Sequence, residues 1–211
     1  MLHVMRSAAG PVPDGVLSAM FAARKSVFVD LLKWDVPVIN GQYEIDQFDD
    51  EHASYLVLTD EAGDHLGSAR LLPTTRPYIL GDLYPELCDA DPPAGASVRE
   101  ITRFLLDRRL PAAARRAVRD TLVVALVDHA LATGISAYVA LAEFGWFQQI
   151  LAFGWHCMPL GQPRQIGGSS LVAFRIAITP ETPALLSAAG VRPRPALAGG
   201  AARAARLEDV R

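Results

Sequence analysis

The stretch PAAARRAVRDTLVVALVDHALATG, residues 111–134, constrains the fold more than any other part of the chain. Pro111 suits the opening of a helix, where its missing N–H costs no bond, and Gly134 can adopt the left-handed conformation that closes one. Between them Val118, Leu122, Ala125, Leu126 and His129 fall near one face at helical spacing, so this helix packs on a sheet. With 211 residues, half of them apolar, the chain can build one sizeable core but is too short for two. Residues 1–189 therefore read as one domain, and the Ala-, Pro-, Gly- and Arg-rich stretch 190–211 as a flexible tail.

Strands flank the helix. SVREITRFLL precedes it and ISAYVALA follows, then a short helix, GWFQQILAFG, and two further strands, WHCMPLG and SSLVAFRIAI. Upstream, ASYLVLTD and HLGSARLLP form an antiparallel hairpin across Glu-Ala-Gly-Asp. Near the start, Asp14 can cap a helix running through VLSAMFAARKSVF, after which Pro37, Asn40 and Gly41 mark a loop. Strands interleaved with helices indicate an α/β layered fold with a mixed sheet.

Composition excludes several functions. A formal charge of −3 argues against nucleic acid as main partner, since that binding rests on a basic surplus. MLHVMRSAAG lacks the apolar run of a signal peptide, and Thr121 to Ala132, broken by Asp128 and His129, is too short to span a bilayer. The expected location is the cytoplasm, with no membrane partner. Cys88 and Cys157 cannot make a disulfide framework or a four-thiolate zinc site, and the acids around Cys88 disfavour a thiolate nucleophile.

YEIDQFDDEH, from Tyr43 to His52, packs Glu44, Asp46, Asp49, Asp50 and Glu51 into ten residues. It lacks the glycine and alternate spacing of a calcium loop, and His52 and His65 make no zinc pattern, so no metal is expected. Taken alone, the run reads as a solvated loop. Its company says more. Arg24 and Phe28 share a helix face, Trp34 follows, and Arg70 sits in a strand. Glu100 and Arg103 are three apart, so they cannot share a strand face unless the strand bulges. Acids, cations and two large aromatics together suit a zwitterionic, partly cationic ligand.

The succession RKSVFVDLLKW, YEIDQFDDE-HASYLVL, GSARLLPT and VREITRFLLDRR resembles the acyl-homoserine-lactone synthases, the autoinducer synthases of bacterial quorum sensing. The likeness spans roughly residues 20 to 160. It implies a GNAT-like three-layer sandwich with a mixed central sheet flanked by helices, and it places the family's invariant residue types at Arg24, Phe28, Trp34, Asp46, Asp49, Arg70, Glu100 and Arg103. The implied reaction acylates the α-amine of S-adenosylmethionine from an acyl thioester on acyl carrier protein or coenzyme A. Lactonisation then releases methylthioadenosine. S-adenosylmethionine is a co-substrate, and no separate cofactor is implied.

On this resemblance Phe28 and Trp34 hold the sulfonium by cation–π attraction, Asp46 meets the ammonium, and Arg24 or Arg103 meets the carboxylate. Glu100 is the first candidate for the base and Asp46 the second. Asp49 and Arg70, with Arg103, form a structural ion-pair network, and a strand N–H near Phe104 faces the oxyanion. The acyl chain is assigned to Leu105, Tyr138, Val139, Leu141, Glu143, Trp146, Phe147, Ile150 and Leu151, each of which also suits an ordinary core. Where many family members carry Ser or Thr, associated with 3-oxo chains, this chain reads Ala140, Leu141, Ala142 and Glu143. The junction before the long helix has no glycine for a phosphate nest. Its Arg108, Arg109, Arg115, Arg116 and Arg119 form either a docking patch for an acidic carrier or a solvated face. The rival readings are a GNAT-fold N-acyltransferase acting on another amine, and a non-catalytic binding module.

Overall fold

Residues 1–6 and 15–194 are described by the structure, a computed structural model; Asp14 and residues 195–211 lie outside them. The elements begin β1 (Leu2–Arg6), α1 (Val16–Arg24), β2 (Val38–Ile39), β3 (Tyr43–Glu44), β4 (Ser54–Thr59) and β5 (His65–Pro73). They continue α2 (Ile79–Leu83), β6 (Val98–Leu106), α3 (Ala112–Thr133), β7 (Ala137–Glu143) and α4 (Phe144–Leu151). The last are β8 (His156–Pro159), β9 (Arg164–Ile166), β10 (Ser169–Ala177) and α5 (Thr182–Ala188). The fold is mixed α/β, with parallel and antiparallel strands and helices packed on them.

The long helix forms as its ends dictate. The Pro111 carbonyl accepts from the Arg115 N–H at 2.9 Å, while Gly134 takes φ +72° and the Ile135 N–H reaches back to the Ala130 carbonyl at 2.9 Å. Val118, Leu122, Ala125 and Leu126 are buried, and His129 is half-buried.

Two compact units divide the chain, one holding 1–70 and 103–122, the other 71–102 and 123–192. The first has the strand order β1-β4-β5-β6. In it β1 runs antiparallel to β4, from Leu2↔Leu58 to Arg6↔Ser54, and α1 buries Leu17, Met20 and Phe21. The second has the order β5-β6-β7-β10-β8, with β9 paired to β10. There β6 lies parallel to β7 from Val98↔Ala137 to Glu100↔Val139, and β10 antiparallel to β7 from Leu171↔Glu143 to Ala177↔Ala137. Tyr138, Val139, Phe174 and Ile176 form the centre of that unit's core.

Two local features depart from the sequence reading, and a third is the irregularity in β6 that it left open. Residues 38–44 are not a loop but a hairpin of β2 and β3, because Asn40 and Gly41 both take positive φ (52° and 67°) and the Gln42 N–H bonds the Ile39 carbonyl. The first helix is α-helical only to Arg24 and continues through Lys25–Leu31 as a π-helix, a form that concentrates at functional sites. Arg103 sits at φ +49° within β6, and this left-handed residue interrupts the strict alternation of the strand. No helix among the described residues is long and apolar enough to cross a membrane.

Within the first unit Gly67 marks a close approach. A Cβ there would stand 2.9 Å from Val118 Cγ1 and 3.0 Å from Leu106 Cδ2. Gly67→Val should overpack this contact and lower the unfolding free energy by about 1–3 kcal/mol, read as a lower denaturant midpoint.

Candidate active site

The acidic run folds so that its carboxylates face one another. β3 delivers Glu44 into the interior, where its side chain is fully buried. The next turn is tied reciprocally: the Asp46 N–H donates to Asp49 Oδ2 (2.9 Å), the Asp49 N–H to the Asp46 carbonyl (3.1 Å), and the Phe48 N–H to Asp46 Oδ1 (2.9 Å). The three-residue spacing therefore brings Asp46 and Asp49 to one side of the turn.

Three arginines meet these three acids in a closed ring. Arg24, from the end of α1, donates Nε to Glu44 (2.5 Å) and both Nη atoms to Asp49 (2.7 and 2.8 Å). Arg70, from β5, reaches Asp49 at 2.8 Å and clasps Asp46 at 2.6 and 3.0 Å. Arg103 closes the circuit, with Nη2 2.8 Å from Asp46 and 2.9 Å from Glu44, and Nε 3.2 Å from each Glu44 oxygen. Charge alternates round the ring, and every member lies in the first unit. Tyr55 adds an O–H donor to Asp49 at 2.7 Å.

Burial alone would raise the Asp49 carboxyl, but Arg70 and then Arg24 more than offset it and hold Asp49 well below the usual carboxylate range. The same contest, won by Arg103 and Arg24, lowers Glu44. Burial, and then the Asp49 charge, push the Tyr55 phenol well up, so it stays a donor.

The ring has one open edge. Asp46 and Arg103 keep 6% and 9% side-chain exposure, whereas the other four members keep 1% or less. Beside that edge Phe28 and Trp34 stack at 4.7 Å and 23°, Phe28 buried and Trp34 45% exposed. The Arg103 guanidinium carbon lies 5.3 Å from the Phe28 ring centre and 5.6 Å from that of Trp34. An acid, a cation and an aromatic face thus meet at one accessible place.

The structure gathers Arg24, Phe28, Trp34, Asp46, Asp49, Arg70 and Arg103 into this cluster. Glu44 and Tyr55 belong to it too, although neither was assigned a site role from the sequence. The acidic run offered Glu44 among five acids, and only the hairpin selects it. Glu100 lies in the second unit, fully buried, where its oxygens accept the Ile79 and Leu80 N–H groups at 2.8 Å each, at the start of α2. Phe104 follows Arg103 in β6 and is half-buried, and Leu105 is buried.

Of the other acyl-chain candidates, Tyr138 is fully buried and donates its hydroxyl to the Leu126 carbonyl (2.8 Å), while Phe147 packs on Phe174 at 5.1 Å. Val139 and Ile150 are buried, Leu141 and Trp146 half-buried, and Leu151 exposed. Glu143 is exposed and accepts from the Ser169 hydroxyl at 2.8 Å. On the basic stretch Arg108 and Arg116 are exposed, Arg109 pairs with Asp107 and Arg119 with Asp120, and Arg115 donates to the Arg108 carbonyl.

Fold and site together define a GNAT-like α/β protein with a partly open ionic ring beside an aromatic pair. A family model described as autoinducer synthase matches residues 13–184, and the chain belongs to that family. An acyl-homoserine-lactone synthase of Ralstonia solanacearum is 34% identical over 196 residues, covering 89% of this chain and 96% of the relative. BjaI, a CoA-dependent acyl-homoserine lactone synthase solved with SAM and isopentyl-CoA, superposes with TM-score 0.80 at 25% identity, over 98% of this chain and 99% of its own. TofI, solved in a ternary complex with an inhibitor and MTA, gives TM-score 0.74 at 31% identity, over 93% of this chain and 98% of its own.

Asp49→Asn should leave Arg24 and Arg70 under-compensated in a buried setting and destabilise the protein by about 3–5 kcal/mol. Because the folded Asp49 and Glu44 carboxyls lie below their unfolded values, their stabilisation is present above the ordinary carboxylate range. It drains away as pH falls below about 4. Urea unfolding across pH should show this decline, with a shallower slope in the Asp49→Asn variant.

Proposed function

We propose that this protein is an acyl-homoserine-lactone synthase that acylates S-adenosylmethionine from an acyl thioester and closes the lactone with loss of methylthioadenosine. The observation that carries the reading is the open edge of the ring, where Asp46 and Arg103 stand beside Phe28 and Trp34. An amino-acid head has an ammonium for Asp46 and a carboxylate for Arg103, and a sulfonium has an aromatic face to rest on. Arg24, the other arginine considered for the carboxylate, is buried between Glu44 and Asp49 and supports the edge from behind.

The ammonium must lose a proton before it can attack. Glu100 is the proposed acceptor, through water, with Asp46 as the second candidate. The amine then attacks the thioester carbonyl, the C–N bond forms and the C–S bond breaks, and the departing thiolate takes up the proton that the amide nitrogen sheds, with the N–H near Phe104 facing the oxyanion. The substrate carboxylate oxygen next attacks its own γ-carbon, and the bond to the sulfonium sulfur breaks. No covalent enzyme intermediate and no separate cofactor take part, and positioning of two bound substrates supplies much of the acceleration.

The donor is an acyl carrier protein or coenzyme A thioester. Arg108 and Arg116, exposed on the basic stretch, suit an acidic carrier, and the acyl chain is assigned to Leu105, Leu141, Glu143, Trp146, Phe147 and their apolar neighbours. Residues 1–189 act as one catalytic domain, in the cytoplasm, which accords with a family model that runs over 13–184.

Mass spectrometry on purified protein given S-adenosylmethionine with mixed acyl-carrier-protein and acyl-coenzyme A thioesters should show lactone and methylthioadenosine appearing together. Thioester loss without methylthioadenosine would replace this reading with acylation of another amine. Asp46→Asn should lower kcat/KM for S-adenosylmethionine about 10- to 100-fold, the worth of a charge-assisted contact.

A further inference from the structure

The ring presents a problem to any amino-acid ligand at its open edge. Asp46 and Arg103 are bonded to each other at 2.8 Å, so an arriving ammonium on Asp46 and carboxylate on Arg103 compete with that bond. When that bond gives way, Arg103 loses one of its two acidic partners. Its backbone adds nothing to hold it, because φ +49° is an unfavourable conformation for a residue with a Cβ. What remains is Glu44, which is fully buried and accepts from Arg103 at Nε (3.2 Å to each oxygen) and at Nη2 (2.9 Å). Glu44 is itself fixed from behind by Arg24 Nε and cannot swing away with the guanidinium.

We infer that Glu44 is a positioning residue for substrate binding: it keeps the Arg103 guanidinium aimed at the open edge after the ligand has displaced Asp46. The inference rests on the proposed function, since it takes the ligand to carry an amino-acid head. Glu44 touches no substrate. It acts through Arg103, and its effect is confined to ligands whose carboxylate Arg103 must hold. S-adenosylmethionine has that carboxylate. Methylthioadenosine keeps the adenosine and the sulfur but lacks the amino-acid head, so its binding does not call on Arg103 in this way.

The test compares the two ligands by titration calorimetry on the wild-type protein and on Glu44→Gln, which keeps the side chain's shape and removes its charge. Glu44→Gln should weaken S-adenosylmethionine about 10- to 100-fold, the loss expected for a hydrogen bond to a charged group, while methylthioadenosine binds within about two-fold of wild type. Equal weakening of both ligands would mean that Glu44 serves the fold of the pocket, and would overturn the inference, as would equal retention of both. If Glu44→Gln does not fold, Glu44→Asp is measured instead. It keeps the charge on a shorter stem and should show the same selective loss at smaller size; parallel changes in the two ligands would again refute it. Failure of the wild-type protein to bind S-adenosylmethionine would count against the proposed function itself, and this control separates the two readings.

Discussion

The closed ring of Arg24, Glu44, Arg103, Asp46, Arg70 and Asp49 is the interaction on which the site depends. Burying six charges is costly, and their mutual attraction recovers that cost only where geometry is good and every remaining donor and acceptor is used. Here each cation lies between two anions and each anion between two cations. The ring ties together a helix end, a two-residue strand, a turn, and two strands of the sheet. The two-residue strand and the turn are too short to hold a charged group in place alone. The ring's value is less in net stability than in fixing where Asp46 and Arg103 point.

Backbone irregularity and function coincide around it. The π-helical stretch Lys25–Leu31 carries Phe28, and the Trp34 N–H reaches back to the Phe28 carbonyl at 2.8 Å, bringing the two rings into their stack. The left-handed Arg103 redirects one side chain of β6 toward the ring, a local cost sustained by four hydrogen bonds from its guanidinium.

Much of the layout was legible in the sequence because periodicity and end signals agreed. The strands β4, β7 and β10 are largely apolar runs, β5 and β6 each carry an apolar stretch at their C-terminal end, and α3 is bracketed by Pro111 and Gly134. What escaped was short. β2 and β3 have two residues each, below the length at which alternation can be seen, although Asn40-Gly41 carried a hairpin signal. α2 is a five-residue helix whose first N–H groups are held by Glu100, 21 positions away in sequence from Ile79, a contact no local pattern reveals. At the site, residue types could be read but pairings could not. Arg24 could have met any of five acids, and Tyr55, inside a buried strand, looked like core.

A closed circuit of alternating charge also has an arithmetic of its own. Removing one acid leaves an open chain with an arginine at each end and one uncompensated positive charge in a dry interior. Removing an adjacent acid and arginine together leaves a shorter chain that is still neutral. In charge terms, the smallest piece this circuit can lose and stay balanced is therefore the bond between two ring members and not the single residue.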